Sequence, residues 1–118
     1  MPERFNDEFW SYLDQLVEKS QIVIDNPKGS AHPDDDTEVY PLDYGYLAGT
    51  TSSDGAGIDV WIGERADRRV VAIICTVDLI KRDTEIKILL GCTEQNMQQV
   101  VEFLNKDQGV RSFFVRRQ

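Results

Sequence analysis

Residues 40–63 read YPLDYGYLAGTTSSDGAGIDVWIG, and this stretch sets the architecture. Val39 to Tyr46 is extended in character, but Pro41 cannot donate to a ladder, so an edge or irregular strand is expected there. Residues 48–57, AGTTSSDGAG, are ten small or turn-forming residues and read as a loop. Ile58 to Gly63 returns to β-branched and aromatic residues and reads as a strand. Two strands are thus joined with no helical crossover between them.

The same logic extends outward. Upstream, Ile22 to Asp25 is a short strand, and residues 26–38, NPKGSAHPDDDTE, read as loop because of two prolines and three consecutive Asp. Residues 5–20 carry Phe5, Phe9, Leu13, Leu16 and Val17 at helical spacing, with Asn6 as the expected N-cap, Asp7 and Glu8 in the first turn and Lys19 in the last. Downstream, Val70 to Val77 is apolar and β-branched, which predicts a central strand buried on both faces. After a turn over 78–82, residues 83–90 alternate. Ile86, Ile88 and Leu90 face one way, and Asp83, Glu85 and Lys87 the other. Residues 93–106 predict a helix with Met97, Val100, Val101 and Leu104 on one face, ended by Gly109, and Val110 to Arg116 a last strand. Strands following strands, bracketed by two helices, predict an α+β fold: an antiparallel or mixed sheet curled into a small barrel with the N-terminal and C-terminal helices packed outside.

The chain has 118 residues, which suits one domain over 1–118 with a core that needs no disulfides. The longest apolar run is six residues, Val70 to Cys75, far short of the roughly 18–20 needed to span a bilayer. The acidic N-terminus MPERFNDEFW is no signal peptide, and two Cys without a CxxC predict a reduced, cytoplasmic protein. A net charge of −8 argues against nucleic acid and anionic membranes as partners. An anionic substrate would need a bound cation to be held.

Two acidic pairs stand out, each with a spacing of five: Asp54 with Asp59, and Asp78 with Asp83. Each pair brackets a strand end, so neighbouring strands would gather four carboxylates at one rim of the sheet. Two unit charges 4 Å apart repel by about 1 kcal/mol in water and about 4 kcal/mol at an effective dielectric of 20, so such a gathering calls for a cation. Oxygen ligands without His or Cys suit Mg²⁺, or Mn²⁺ in its place, which would bridge to phosphate oxygens. Taken singly, each Asp is more simply a turn residue.

Residues 40–63 also resemble the signature of the family I soluble inorganic pyrophosphatases, which show Tyr-Pro-x-(Asn/Asp)-Tyr-Gly-(Tyr/Phe), then Gly-Thr, then Asp-Gly-Asp-Pro-x-Asp-Val. The first part matches closely, and the second matches at Asp54, Gly55, Asp59 and Val60. Asp78 and Asp83 match the family's second aspartate pair, and IVIDNPKGS resembles its entry strand and turn. The resemblance covers about residues 22–91. It implies a five-stranded OB-like barrel and Mg²⁺-dependent hydrolysis of pyrophosphate, or a related phosphoanhydride, by metal-activated water. It makes Asp54, Asp59, Asp78 and Asp83 metal ligands and Tyr44 a phosphate contact. Family members are often homo-oligomers, which makes a second copy a candidate partner beside a small anionic phosphate substrate.

The departures are specific. The middle Asp of Asp-Gly-Asp is Ala56, and the following Pro is Gly57. The family's β-hairpin with its Lys, Glu and Arg is absent, only residues 34–39 lying between Pro33 and Tyr40. Glu85 stands where the family has Lys, with Lys87 two positions on along the same face. Glu85 or Asp43 is the expected substitute for the carboxylate at Ala56, and Lys28 and Lys87 for the lost phosphate contacts. A non-catalytic cation- or phosphate-binding protein, or an assembly protein on the same fold, is the alternative. His32 is expected to be a loop residue, Trp10 and Trp61 core, and Cys75 a small hydrophobe.

Overall fold

The computed structural model describes residues 3–117. In chain order they form α1 (Glu3–Glu18), β1 (Ile22–Asn26), β2 (Ala31–His32), β3 (Asp35–Val39), β4 (Asp43–Leu47), β5 (Ile58–Ile62), β6 (Val70–Asp78), β7 (Asp83–Leu90), α2 (Glu94–Asn105) and β8 (Val110–Arg116). Six strands make one sheet in the order β1-β4-β5-β7-β6-β8, and β2 and β3 pair separately. All neighbours in the large sheet are antiparallel except β5 and β7, which run parallel.

The α+β class and the mixed sheet match expectation, but the sheet is open and has six strands, not a closed barrel of five. The reason lies in β8. It pairs with the outer side of β6 over Ala72 to Asp78, so β6 is flanked on both sides, and β8 and β1 remain as two edges. Each inner strand is apolar on both faces, and each face has its own helix. Val60, Ile62, Ile88 and Leu90 pack with Ile73, Leu47 and Trp10 of α1. Trp61, Leu89, Ala72 and Ile74 pack on the other side with Met97 and Val100 of α2. A bulge between Val70 and Ala72 shifts the register at the start of β6.

Local differences from expectation have local causes. α1 already includes Glu3, so Asn6 lies inside it and Lys19 beyond its end. The helix turns Trp10 inward and leaves Phe5 and Phe9 half-exposed. Pro41 sits at the corner between β3 and β4, which leaves β4 free to pair with both β1 and β5 rather than serve as an edge. The 26–38 segment contains the small β2–β3 hairpin, where His32 stacks on Tyr40 with ring centroids 5.7 Å apart. Thr93 caps α2 with a capping box: its Oγ1 accepts from Asn96 N, and Asn96 Oδ1 accepts from Thr93 N. Gly45 lies where β4 comes closest to β1, and a Cβ there would overlap the Val23 carbonyl.

Candidate functional site

The sheet register decides which polar side chains meet. Tyr44 pairs with Trp61 and Tyr46 with Asp59 between β4 and β5. Trp61 lies beside Leu89 in the parallel β5–β7 ladder. Across β6 and β7, Ile74 faces Lys87, Thr76 faces Glu85, and Asp78 faces Asp83. Side chains alternate along a strand, so Tyr44, Asp59, Lys87, Glu85, Asp83 and Asp78 all project from the α2 side.

Lys87 is the centre of this face. It is 8% exposed. Its Nζ donates to Asp59 Oδ2 at 2.7 Å, to Tyr44 Oη at 3.0 Å and to Glu85 Oε2 at 3.2 Å. An ammonium has three protons, and here each has an acceptor. Tyr44 is held in turn by aromatic packing: its ring centroid is 4.4 Å from that of Trp61 and 5.7 Å from that of Tyr40. Trp61 is 1% exposed and its indole N–H has no hydrogen-bond partner among the described residues. Burial pushes the Tyr44 hydroxyl well above its usual pKa, so it remains a neutral donor and acceptor. Burial works against the Lys87 ammonium too, but the oxygens of Tyr44 and Asp59 outweigh it and hold Lys87 protonated.

The loop over 48–57 brings Asp54 to the same place. Ser53 Oγ donates to the Thr84 carbonyl and pins the loop on β7. Thr50 Oγ1 donates to Leu47 O at 2.7 Å and accepts from Ile58 N at 3.0 Å. Gly57 is needed because a Cβ there would come within 2.8 Å of Tyr46 Cδ2 and 3.0 Å of Leu47 O. Asp54 Oδ1 accepts from Ser52 Oγ at 2.6 Å and from Ala56 N at 2.9 Å. Those donors, Ser52 first, with Glu85 also in hydrogen-bond reach, lower the Asp54 pKa to about 2. Glu85 moves the other way, raised first by burial and then by its contact with Asp54.

The expected site residues therefore fall into groups. Tyr44, Asp54, Asp59, Glu85 and Lys87 form one connected cluster. Asp78 and Asp83 face each other further out on the same side. Asp83 is four residues from Lys87, about 13 Å along the strand at ~3.3 Å per residue. Asp78 Oδ1 is engaged by Ile80 N and Lys81 N, both at 2.9 Å, and caps the β6–β7 turn. The expected meeting of four aspartates at one point is thus spread into a row. Lys28 is exposed, and its backbone N donates to Asp43 Oδ1 at 2.8 Å, which ties Asp43 to the 27–30 turn and leaves Glu85 as the carboxylate beside Asp54. Ser52, Ser53 and Lys81, whose charge acts on Asp54, belong to the site and were missed. The Ser two positions before Asp54 is the one local signal for them, since that spacing favours an Asx-type turn.

Among the described residues, no three His, Cys, Asp or Glu side chains converge closely enough to hold a metal ion as they are placed. The donor set is nevertheless of the chemical type that a hard divalent cation takes. It consists of carboxylate and hydroxyl oxygens, carries far more negative charge than Lys87 neutralises, and already holds one cation in the Lys87 ammonium.

No protein-family model matches the sequence. No curated protein matches it either. Solved structures do match. The inorganic pyrophosphatase of Neisseria gonorrhoeae superposes with a TM-score of 0.65 at 18% identity, covering 81% of each chain. That of Thermus thermophilus gives 0.60 at 19% identity, again over 81% of each. That of Helicobacter pylori gives 0.60 at 14% identity, over 81% of this chain and 83% of that one. Identities this low speak to the backbone alone, and on that evidence the chain has a pyrophosphatase-like fold.

Proposed function

We propose that the chain is a Mg²⁺-dependent hydrolase of inorganic pyrophosphate or a related phosphoanhydride, working as one domain on the α2 side of its sheet. The observation that carries this reading is the buried Lys87 ammonium held by Tyr44, Asp59 and Glu85 on a pyrophosphatase-like fold, which supports reading the face as one that binds cations. Asp54 and Asp59 would hold Mg²⁺, with Asp78 and Asp83 further along the row. Bound there, Mg²⁺ would neutralise phosphate oxygens and make a water more acidic. Tyr44, kept neutral by burial, offers its hydroxyl to a phosphate oxygen. Lys28 is exposed and free to meet the outer end of the substrate. Glu85, which keeps its proton more readily than an ordinary Glu, is the residue suited to exchange a proton where Ala56 has none to offer. Two free thiols, Cys75 and Cys92, are in keeping with a reducing, cytoplasmic setting.

The test is Mg²⁺-dependent phosphate release from pyrophosphate by the wild-type chain, Asp59→Asn and Glu85→Gln. Each substitution should slow release by about 10²–10⁴-fold, the usual worth of one positioned acid–base group. No release above the buffer rate by the wild type would end the hydrolase reading.

A second reading, a binding protein without turnover, is favoured by one observation. Ala56 contributes only backbone groups, its N–H to Asp54 and its carbonyl to Ser52 N, where the resembling family has a carboxylate. Under that reading Mg²⁺ and phosphate bind together, and pyrophosphate is recovered intact.

A further inference from the structure

Lys87 does more on this face than neutralise one carboxylate. Its side chain is 10% exposed, as is that of Glu85, and that of Asp59 is 24% exposed. Two largely buried carboxylates facing each other without a partner are costly, and a positive charge between them offsets that cost. The backbone supplies it without search. Glu85 and Lys87 are two apart on β7 and so share a face, and Asp59 lies on the adjoining parallel strand β5. The ammonium is therefore fixed between its two carboxylates at a high effective concentration, whereas a dissolved ion must give up water to enter.

We propose that Lys87 is a tethered cation that fills the position between Asp59 and Glu85, so that this position takes no divalent ion in the wild-type chain and becomes a divalent-cation site once the ammonium is removed. The inference rests on the reading of this face as a cation site. It adds that one of the cation positions is occupied by a side chain. Divalent ions that serve the wild-type chain then bind outside that position, at Asp54, Asp83 and Asp78 and at the Asp59 oxygen that Lys87 does not take.

The experiment measures Mn²⁺ binding, by calorimetry and by water-proton relaxation, to the wild type, Lys87→Met and the double variant Lys87→Met/Asp59→Asn. Methionine keeps an unbranched apolar side chain, one atom shorter than that of Lys, and removes the charge. Lys87→Met should bind one more Mn²⁺ per chain than the wild type, or bind Mn²⁺ at least about tenfold tighter once the tethered competitor is gone. The double variant should lose that gain. Should Lys87→Met fail to fold, Lys87→Gln serves in its place, since it too removes the charge while keeping a polar group on the side chain. In the wild type, the ¹⁵N resonance of the Lys87 ammonium should stay unchanged at millimolar Mg²⁺. Identical Mn²⁺ isotherms for wild type and a folded Lys87 variant would overturn the proposal, as would release of the Lys87 ammonium by Mg²⁺. Neither readout involves turnover, so the hydrolase reading can fail while the Mn²⁺ gain is seen, and the reverse.

Discussion

Gly45→Ala should be among the most damaging single-atom additions to this protein. The new Cβ would overlap the Val23 carbonyl oxygen and lie 2.8 Å from Val23 C and 2.9 Å from Ile24 Cα. All three obstacles are backbone, so no rotamer change relieves them, and β1 has to move away from β4. Overpacking alone costs about 1–3 kcal/mol, here at the top of that range, and two ladder hydrogen bonds lost with it add about 1 kcal/mol each. A total of about 4–5 kcal/mol is a large share of the 5–15 kcal/mol that about this size of domain possesses. At about 4 °C per kcal/mol the melting temperature should fall by about 15–20 °C. Gly29→Ala is the control. Gly29 has φ +86° and nothing within 4 Å of the added atom, so only the left-handed strain of about 1–2 kcal/mol applies. Thermal and urea unfolding followed by circular dichroism would measure both. If Gly45→Ala is no worse than Gly29→Ala, the close approach of β1 and β4 is not what requires glycine between the two tyrosines.

Other expectations follow from single contacts. Arg117 donates to both oxygens of Asp14 at 2.8 Å and holds that carboxyl below its usual range. A depressed folded pKa stabilises above the unfolded value of about 3.9 and is lost as pH falls through the folded one, so the stability gap between wild type and Asp14→Asn should close below about pH 4 in urea titrations. Asn96 is 4% exposed, and its Oδ1 accepts from Thr93 N at 3.0 Å and Glu64 N at 3.1 Å. Asn96→Ala orphans both donors and should cost about 2–4 kcal/mol by denaturant midpoint, against about 1 kcal/mol for Thr93→Ala. Cys92 is 2% exposed and burial pushes its thiol up to about 12. In the native protein a maleimide should label Cys75 and spare Cys92 until urea unfolds the chain, and equal labelling rates would contradict the burial.

How much of this was legible beforehand depends on how local the cause is. The β6 and β7 strands were readable because their patterns are local: continuous β-branched residues in one, alternation in the other. That alternation also put Glu85 and Lys87 on one face. The partner of Lys87 was not readable. Asp59 reaches it only because β5 runs parallel beside β7, with β6 and its turn inserted between them in sequence, and no neighbouring residue announces that pairing. The open sheet had the same origin, since β8 extends β6 from the far end of the chain. Asp78 illustrates the opposite case. Its carboxylate caps the turn that follows it, which is what Asp at a strand end ordinarily does and what the residue read singly predicts.

The two tryptophans sit on opposite sides of the sheet, Trp61 against Tyr44 and Trp10 against Phe9 on α1. The protein therefore carries its own optical probe. Any ion or phosphate that disturbs Tyr44 must alter the emission of the indole 4.4 Å away, while Trp10, with the Arg117 guanidinium 5.9 Å from its ring, emits as an internal reference from the distant face.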